Sequence, residues 1–243
     1  MFNQVTQISY AALMVFAIGC GDMETTEAPL AATIEDAYLF YNGSAWDSAT
    51  DATAIAIDKQ PLLAGQTATA DHYTGYAHGI NGVMIDINNL LGATLAAGDL
   101  EFRVGTDNAP ETWEAAPTPL WIGVELDAGV NGSDRVTVIW ERGEITNTWL
   151  QIRVVASETT GLSDDYVFYF GSLVGDIDPI ITDGNFAVSL DDTGKILDAL
   201  RSPSAQIDTA ADLNKDKIVD IQDSETVLNH LGTSLPVLTV PEE

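Results

Sequence analysis

Between Ile34 and Phe170 the chain is cut into short runs with a two-residue rhythm. "AYLFY" (37–41), "GVMIDI" (82–87), "LEFRV" (100–104), "LWIGVEL" (120–126), "RVTVIW" (135–140), "WLQIRVV" (149–155) and "YVFYF" (166–170) are rich in β-branched and aromatic residues. In "RVTVIW", Val136, Val138 and Trp140 fall on one face, the period of a strand with one side buried. The turn signals "YNGS", "GTDNAP", "GVNGSD", "ERGE" and "TTGLSDD" separate the runs. No helical period competes, and only "LLGATLAAGD" offers a helical turn. Seven short strands of this kind predict a mainly β chain built as an antiparallel, jelly-roll-like β-sandwich over 33–171.

After Gly171 the texture changes. Phe186 is the sole remaining aromatic residue, and Asp-rich stretches precede short amphipathic runs. This places a domain boundary near 171–175, a second module over 172–235 and a tail over 236–243. Residues 1–32 read as leader and linker. The apolar run "ISYAALMVFAIG" is too short for a bilayer span but suits the core of a secretory leader. Cys20, the one cysteine, follows it as a candidate lipidation site, which makes the expected location extracellular or at the cell surface. No transmembrane span is expected beyond the leader.

Composition narrows the partners. Thirty-seven acids stand against nine bases, a net charge of −28. A chain so acidic lacks the basic footprint that nucleic acid requires, and its carboxylates need solvent, salt or cations to offset them.

The stretch "DLNKDKIVDIQD" (212–223) is where a cation fits. Oxygen-bearing side chains stand at its positions 1, 3, 5, 9 and 12, which are Asp212, Asn214, Asp216, Asp220 and Asp223. With the carbonyl of Ile218 at position 7 they form an oxygen set for Ca²⁺, a hard cation that takes six to eight such ligands. Lys217 holds position 6, where the chain must turn left-handed at a cost of roughly 1 kcal/mol for a non-glycine residue. Val219 is expected to point into the core, with its backbone pairing to Val188. "SETVLNHL" then continues as a helix with Val227, Leu228 and Leu231 on one face.

The same pattern occurs thirty-one residues earlier. Val219 falls on Val188, Asp223 on Asp192, and Val227, Leu228 and Leu231 on Ile196, Leu197 and Leu200, which reads as an internal duplication. At that offset the first loop offers Asp183, Asn185, the carbonyl of Ala187, Ser189 and Asp192. Its position 1 is Ile181, which has no ligand atom. Asp176 or Asp178 substitutes if the loop bends differently.

"DLNKDKIVDIQDSETVLNHL", with Asp at position 12, Val at position 8 and two loop–helix units in about 65 residues, resembles a type I dockerin. The resemblance implies a small α-helical, EF-hand-type Ca²⁺ module that docks onto a cohesin-like or other surface protein. Positions 10 and 11, where the family often carries Ser or Thr, are here Leu190–Asp191 and Ile221–Gln222. Upstream, "GINGVMIDI", "EFRVGTDNAPETW" and "GVNGSDRVTVIW" resemble a module of large secreted proteins of planctomycete-type bacteria, which implies architecture and location.

Catalytic signatures are weak. There is no G-x-S-x-G elbow. His72 and His78 are six residues apart and read as loop or strand-edge side chains. Glu111, Glu114, Glu125, Glu141 and Glu144 offer carboxylate pairs, but in so acidic a chain they read as a solvated face. The expected role is non-catalytic attachment or assembly. The alternatives are a carbohydrate-binding accessory module, with Trp46 and Trp113 in turn-like contexts as a candidate sugar platform for a polysaccharide, and part of a glycoside hydrolase system.

Overall fold

The computed structural model describes residues 31–48, 52–200 and 204–242. In chain order the strands are β1 (Thr33–Leu39), β2 (Tyr73–Thr74), β3 (Gly82–Asn88), β4 (Leu100–Gly105), β5 (Glu114–Ala115), β6 (Trp121–Glu125), β7 (Asp134–Ile139), β8 (Thr148–Val154) and β9 (Tyr166–Ser172). Then follow β10 (Ile181–Thr182), β11 (Asn185–Ala187), α1 (Leu190–Ala199), α2 (Ile221–His230) and β12 (Ser234–Pro236). The chain is therefore mainly β, and the seven sequence-predicted runs all carry strands. "LLGATLAAGD" holds no helix. Among the described residues no helix is long and apolar enough to cross a membrane.

Two larger sheets form. One has the order β1-β3-β7-β6 and is antiparallel throughout. The other has the order β2-β9-β8-β4-β5 and is antiparallel except for the two-residue β2–β9 pairing. Alternation explains how they meet. Val83, Ile85 and Ile87 of β3 and Val136 and Val138 of β7 join Leu150, Ile152 and Val154 of β8 and Phe168 and Phe170 of β9 in one buried core.

The opposite face of β3 and β7 is also closed, and it holds the ion pair Asp86–Arg135. The two residues sit directly opposite each other, and Arg135 Nε and Nη2 donate to Asp86 Oδ1 and Oδ2 at 2.8 and 2.7 Å. The Val130 N–H adds a third donor at 2.9 Å. A two-pronged, hydrogen-bonded geometry is what makes a buried pair tolerable.

The residues after Ser172 do not stand apart from the strands. The described residues from Ala31 onward form one compact unit by contact, with a second core made on the outer face of the five-stranded sheet. There Tyr73, Trp149 and Tyr169 pack with Phe186, Val188, Ile196, Leu213, Val219, Val227 and Leu235. Trp149 is fully buried and its Nε1 donates to the Pro236 carbonyl at 2.8 Å. The sequence-defined tail is tied in as well. The Ala68 N–H donates to Leu238 O and the Val240 N–H to Gln66 O, at 2.8 and 2.9 Å, while the Leu238 and Val240 side chains are buried.

Trp149 thus bridges the sheet and the C-terminal loops. Truncation of Trp149 to Ala is expected to cost about 3–5 kcal/mol and to loosen both regions together. Denaturant unfolding followed by far-UV circular dichroism and by hydrogen exchange of α1 and α2 checks this.

Candidate metal centre

The second loop is organised by its own carboxylates. Asp212 is fully buried, and its two oxygens accept from the Asp216 and Lys217 N–H groups at 3.2 and 3.0 Å. Asn214 Oδ1 accepts from Asp216 N–H at 3.0 Å, and Asp216 Oδ1 from Ile218 N–H at 3.0 Å. The chain turns left-handed at Lys215 (φ 56°) and at Lys217 (φ 79°), the latter at the position 6 expected from sequence. Asp220 caps α2, accepting from Gln222 N–H at 2.8 Å.

Asp223 closes the loop. It is fully buried. Its Oδ1 accepts from the Leu213 and Asn214 N–H groups at 2.7 and 3.4 Å, and its Oδ2 from Asp220 N–H at 2.8 Å. One carboxylate thereby holds the loop entry against the start of α2 and completes a capping box.

Asp192 makes the same three bonds in the first unit. Its Oδ1 accepts from the Ile177 and Asp178 N–H groups at 2.9 and 2.8 Å, and its Oδ2 from Ser189 N–H at 2.8 Å. Ser189 and Asp192 therefore match Asp220 and Asp223 at the thirty-one-residue offset. Ile177 and Asp178 match Leu213 and Asn214 five residues further out. The extra length is a hairpin, β10–β11, turning at Asp183 (φ 51°) and Gly184 (φ 78°), the Asp-Gly chemistry of a tight β-turn.

This corrects the first-loop assignment. Ile181 is not position 1: Asp176 stands where Asp212 stands, and Asp178 where Asn214 stands. Asp183 lies exposed at the hairpin tip, Asn185 Nδ2 turns to the Asp183 carbonyl at 2.9 Å, and Ala187 is in β11. Ser189 and Asp192 keep their places. The pairing expected between the Val188 and Val219 backbones is also absent. Val188 instead exchanges bonds with Thr233 and Gly232, though both valine side chains are buried as expected.

Asp176 and Asp212 are the electrostatic core of the site. Asp176 is buried, its Oδ2 accepts from Tyr73 OH at 2.5 Å, and its Oδ1 has no hydrogen-bond partner. Burial pushes its carboxyl up to about 7, with the Asp192 charge adding to the shift. Burial likewise pushes Asp212 up to about 6, against the pull of Lys215, and raises Asp223. Lys215, also buried, is pushed down to about 8 by desolvation. Its ammonium donates to the Ile207 and Thr209 carbonyls at 3.0 and 2.9 Å and lies 5.1 Å from the centre of the Tyr41 ring.

Among the described residues no three His, Cys, Asp or Glu side chains are gathered tightly enough to hold a metal ion as they stand. The donor set nevertheless fits Ca²⁺. It is all oxygen, it is rich in carboxylate, and its two buried members, Asp212 and Asp223, repel each other. A divalent cation relieves that repulsion, whereas buried charge left unmatched is costly.

The other candidates separate. Trp113 is only 5% exposed, because its indole lies on Gly105, where any Cβ would strike the ring, and its Nε1 donates to Asp107 Oδ1 at 2.8 Å. It is not a sugar platform. Trp46 is half-buried beneath the Lys217 ammonium, 4.7 Å from its ring centre. Trp121 is the exposed indole. His72 Nδ1 accepts from Thr69 N–H at 2.9 Å, and burial lowers the pKa of His72 and of His78. Glu111, Glu114, Glu125, Glu141 and Glu144 are exposed. Cys20 lies outside the described residues. Searches of protein-family models, curated proteins and solved structures return no match to the chain.

The raised carboxyls make a linkage prediction. Asp176 in the folded protein holds its proton up to about pH 7, while the unfolded chain releases it near pH 4. Its contribution is therefore full below about pH 4 and is lost as pH rises through about 7. In chelator, Tm is expected to fall across that window, and Asp176→Asn to flatten the fall. A cation held by these carboxylates would take their ionised form, so any Tm gain on adding Ca²⁺ is expected to be larger at about pH 7.5 than at about pH 5. Thermal scans with and without chelator check both.

Proposed function

We propose that this chain is a secreted or surface-attached, Ca²⁺-binding, non-catalytic protein. Its strands form a β-sandwich, and its C-terminal loop–helix pair is a dockerin-like module for attachment or assembly. Two loops that end in the same buried, triply hydrogen-bonded aspartate support the Ca²⁺ reading. Asp212, Asn214, Asp216, Asp220, Asp223 and the Ile218 carbonyl are the candidate ligands of one. Asp176, Asp178, Ser189 and Asp192 are those of the other. Bound Ca²⁺ supplies positive charge that lets the buried carboxylates ionise together. The protein side chains and backbone hold the loop entries against the helix starts.

One observation carries the attachment role. Leu190, Leu197 and Leu200 on and just after α1 are 69, 55 and 38% exposed. Their repeat partners Ile221, Leu228 and Leu231 are 62, 50 and 41% exposed. Buried repeat partners such as Ile196 and Val227 serve the core, but six exposed apolar side chains do not. Exposed apolar side chains at repeat-equivalent positions support the reading of a docking face. Asp191 and Glu225 on the same helices are also exposed, which supports an apolar partner surface with a basic rim, cohesin-like or of another surface protein.

Two measurements test the parts separately. Calorimetric titration of the full chain is expected to give saturable Ca²⁺ binding that weakens at least tenfold in Asp216→Ala, an exposed ligand whose loss spares the core. Flat titrations, or unchanged binding in that variant, would remove the Ca²⁺ reading. Capture from an extracellular extract is expected to need Ca²⁺ and to be lost in Leu197→Asp with Leu228→Asp, a pair that leaves Ca²⁺ binding intact.

A further inference from the structure

The C-terminal loops cover only part of the outer face of the five-stranded sheet. Along β4, β8 and β9 the register places Arg103, Gln151 and Tyr169 side by side, with Glu101, Arg153 and Val167 in the next row. The row beyond Tyr169, with Trp149, is buried under the second core. Where that cover ends, a groove of about 350 Å³ opens over Arg103, Gln151, Arg153 and Val167, a size within the range of small-ligand sites. Pro110 and Glu111 line it from the β5 side, and Val240–Glu242 line it as well.

The charges in the groove are unequal. Arg153 is neutralised by Glu101 at 3.3 Å and by Asp165 at 2.9 Å. Arg103 makes no ion pair among the described residues, in a chain with 37 acids and 9 bases. Its Nη1 donates to the Trp113 carbonyl at 3.2 Å, which holds the guanidinium in place and leaves its other N–H groups unclaimed among those residues. Beside it, Gln151 Nε2 donates to Tyr169 OH at 2.9 Å. That bond fixes the amide and leaves Oε1 without a donor among the described residues.

A fixed planar donor fork thus stands next to a fixed lone acceptor. The fork matches a carboxylate, and the acceptor matches a hydroxyl. A hexuronate carries both on one ring, and the ring's C–H surface suits Val167 and Pro110. Glu111 and Glu242 at the rim, and the net charge of −28, repel a long polyanion, so the ligand carries one carboxylate. We propose that this groove binds a sugar acid, a single hexuronate at the end of an oligosaccharide. The site is separate from the Ca²⁺ loops, and none of its residues belongs to them.

The test uses the full chain in chelator, so that Ca²⁺ bridging plays no part. Methyl glucuronoside and methyl galacturonoside are titrated by NMR against the matching neutral methyl hexosides. At least one uronate is expected to shift the side-chain resonances of Gln151 and Arg103 saturably, with its neutral counterpart at least tenfold weaker. Arg103→Gln is expected to erase that preference. Gln151→Leu is expected to weaken uronate binding at least threefold while keeping it. Should Arg103→Gln unfold, Arg103→Lys, which keeps the charge but not the fork, is expected to weaken uronate binding at least fivefold. The proposal is overturned if no uronate binds, if the neutral sugars bind equally well, or if a folded Arg103 variant keeps full affinity and preference.

Discussion

A carboxylate that accepts three backbone N–H bonds holds each loop of the C-terminal half closed. Asp192 and Asp223 each tie two N–H groups of the loop entry to one at the helix start. Bonds to an ionised acceptor are shorter and stronger than neutral ones, and no other side chain of that length presents two acceptors pointing both ways. With the entry and the helix start fixed, the residues between them have one way to run. Val188 and Val219 are driven inward and α1 and α2 are set beside each other. The core over Trp149 can then close. The sheet side holds the loops in turn, through the Tyr73 hydroxyl on Asp176 and the Ala77 N–H on the Leu213 carbonyl.

That arrangement couples charge to packing. Asp176, Asp192, Asp212 and Asp223 are all buried in a chain that already carries a large negative excess, and burial raises the carboxyls of Asp176, Asp212 and Asp223. In each of these three, burial favours the protonated form. Because the loops share their core with the outer face of β8 and β9, a change in their protonation is felt beyond the loops. Any cation that binds only the folded form stabilises sheet and helices together by mass action. Lys215 is the protein's own partial answer. Its buried ammonium offsets Asp212 and is itself held between two carbonyls and the Tyr41 ring.

What the sequence made legible follows from which signals are local. Strand alternation is local, so Val136, Val138 and Trp140 were placed on a buried face correctly. The second loop is a contiguous twelve residues, so its left-handed position and its helix were readable, though the cap by Asp220 was not. The first loop was misplaced because a constant offset was assumed across it. The hairpin at Asp183–Gly184 inserts five residues, and the hydrogen bonds of Asp192 favour the alternative read from the sequence, with Asp176 and Asp178 at the loop entry. The "DG" pair was a local sign of that hairpin. Trp113 was misjudged because its cover comes from Gly105 and Tyr169, one contact set by strand pairing and the other by sheet order. The burial of Leu238 and Val240 depends on residues 65–68, about 170 positions away, and nothing local announces it.

The two repeats have diverged unevenly, and the unevenness is informative. Loop length differs by five residues, position 1 differs in its partners, and one copy carries a hairpin that the other lacks. Yet the closing aspartate, the inward valine and the apolar helix positions remain in register. Packing accounts for the inward positions, since Ile196 and Val227 are fully buried and a polar residue there would lose its hydration. Packing does not account for Leu197 and Leu228, or for Leu190 and Ile221, which face water. An exposed leucine contributes little to a monomer, and scattered examples mean nothing. Six of them at repeat-equivalent positions, on helices whose loops differ in length, are not explained by packing within the chain. A partner surface that uses both helices, as proposed above, would explain them.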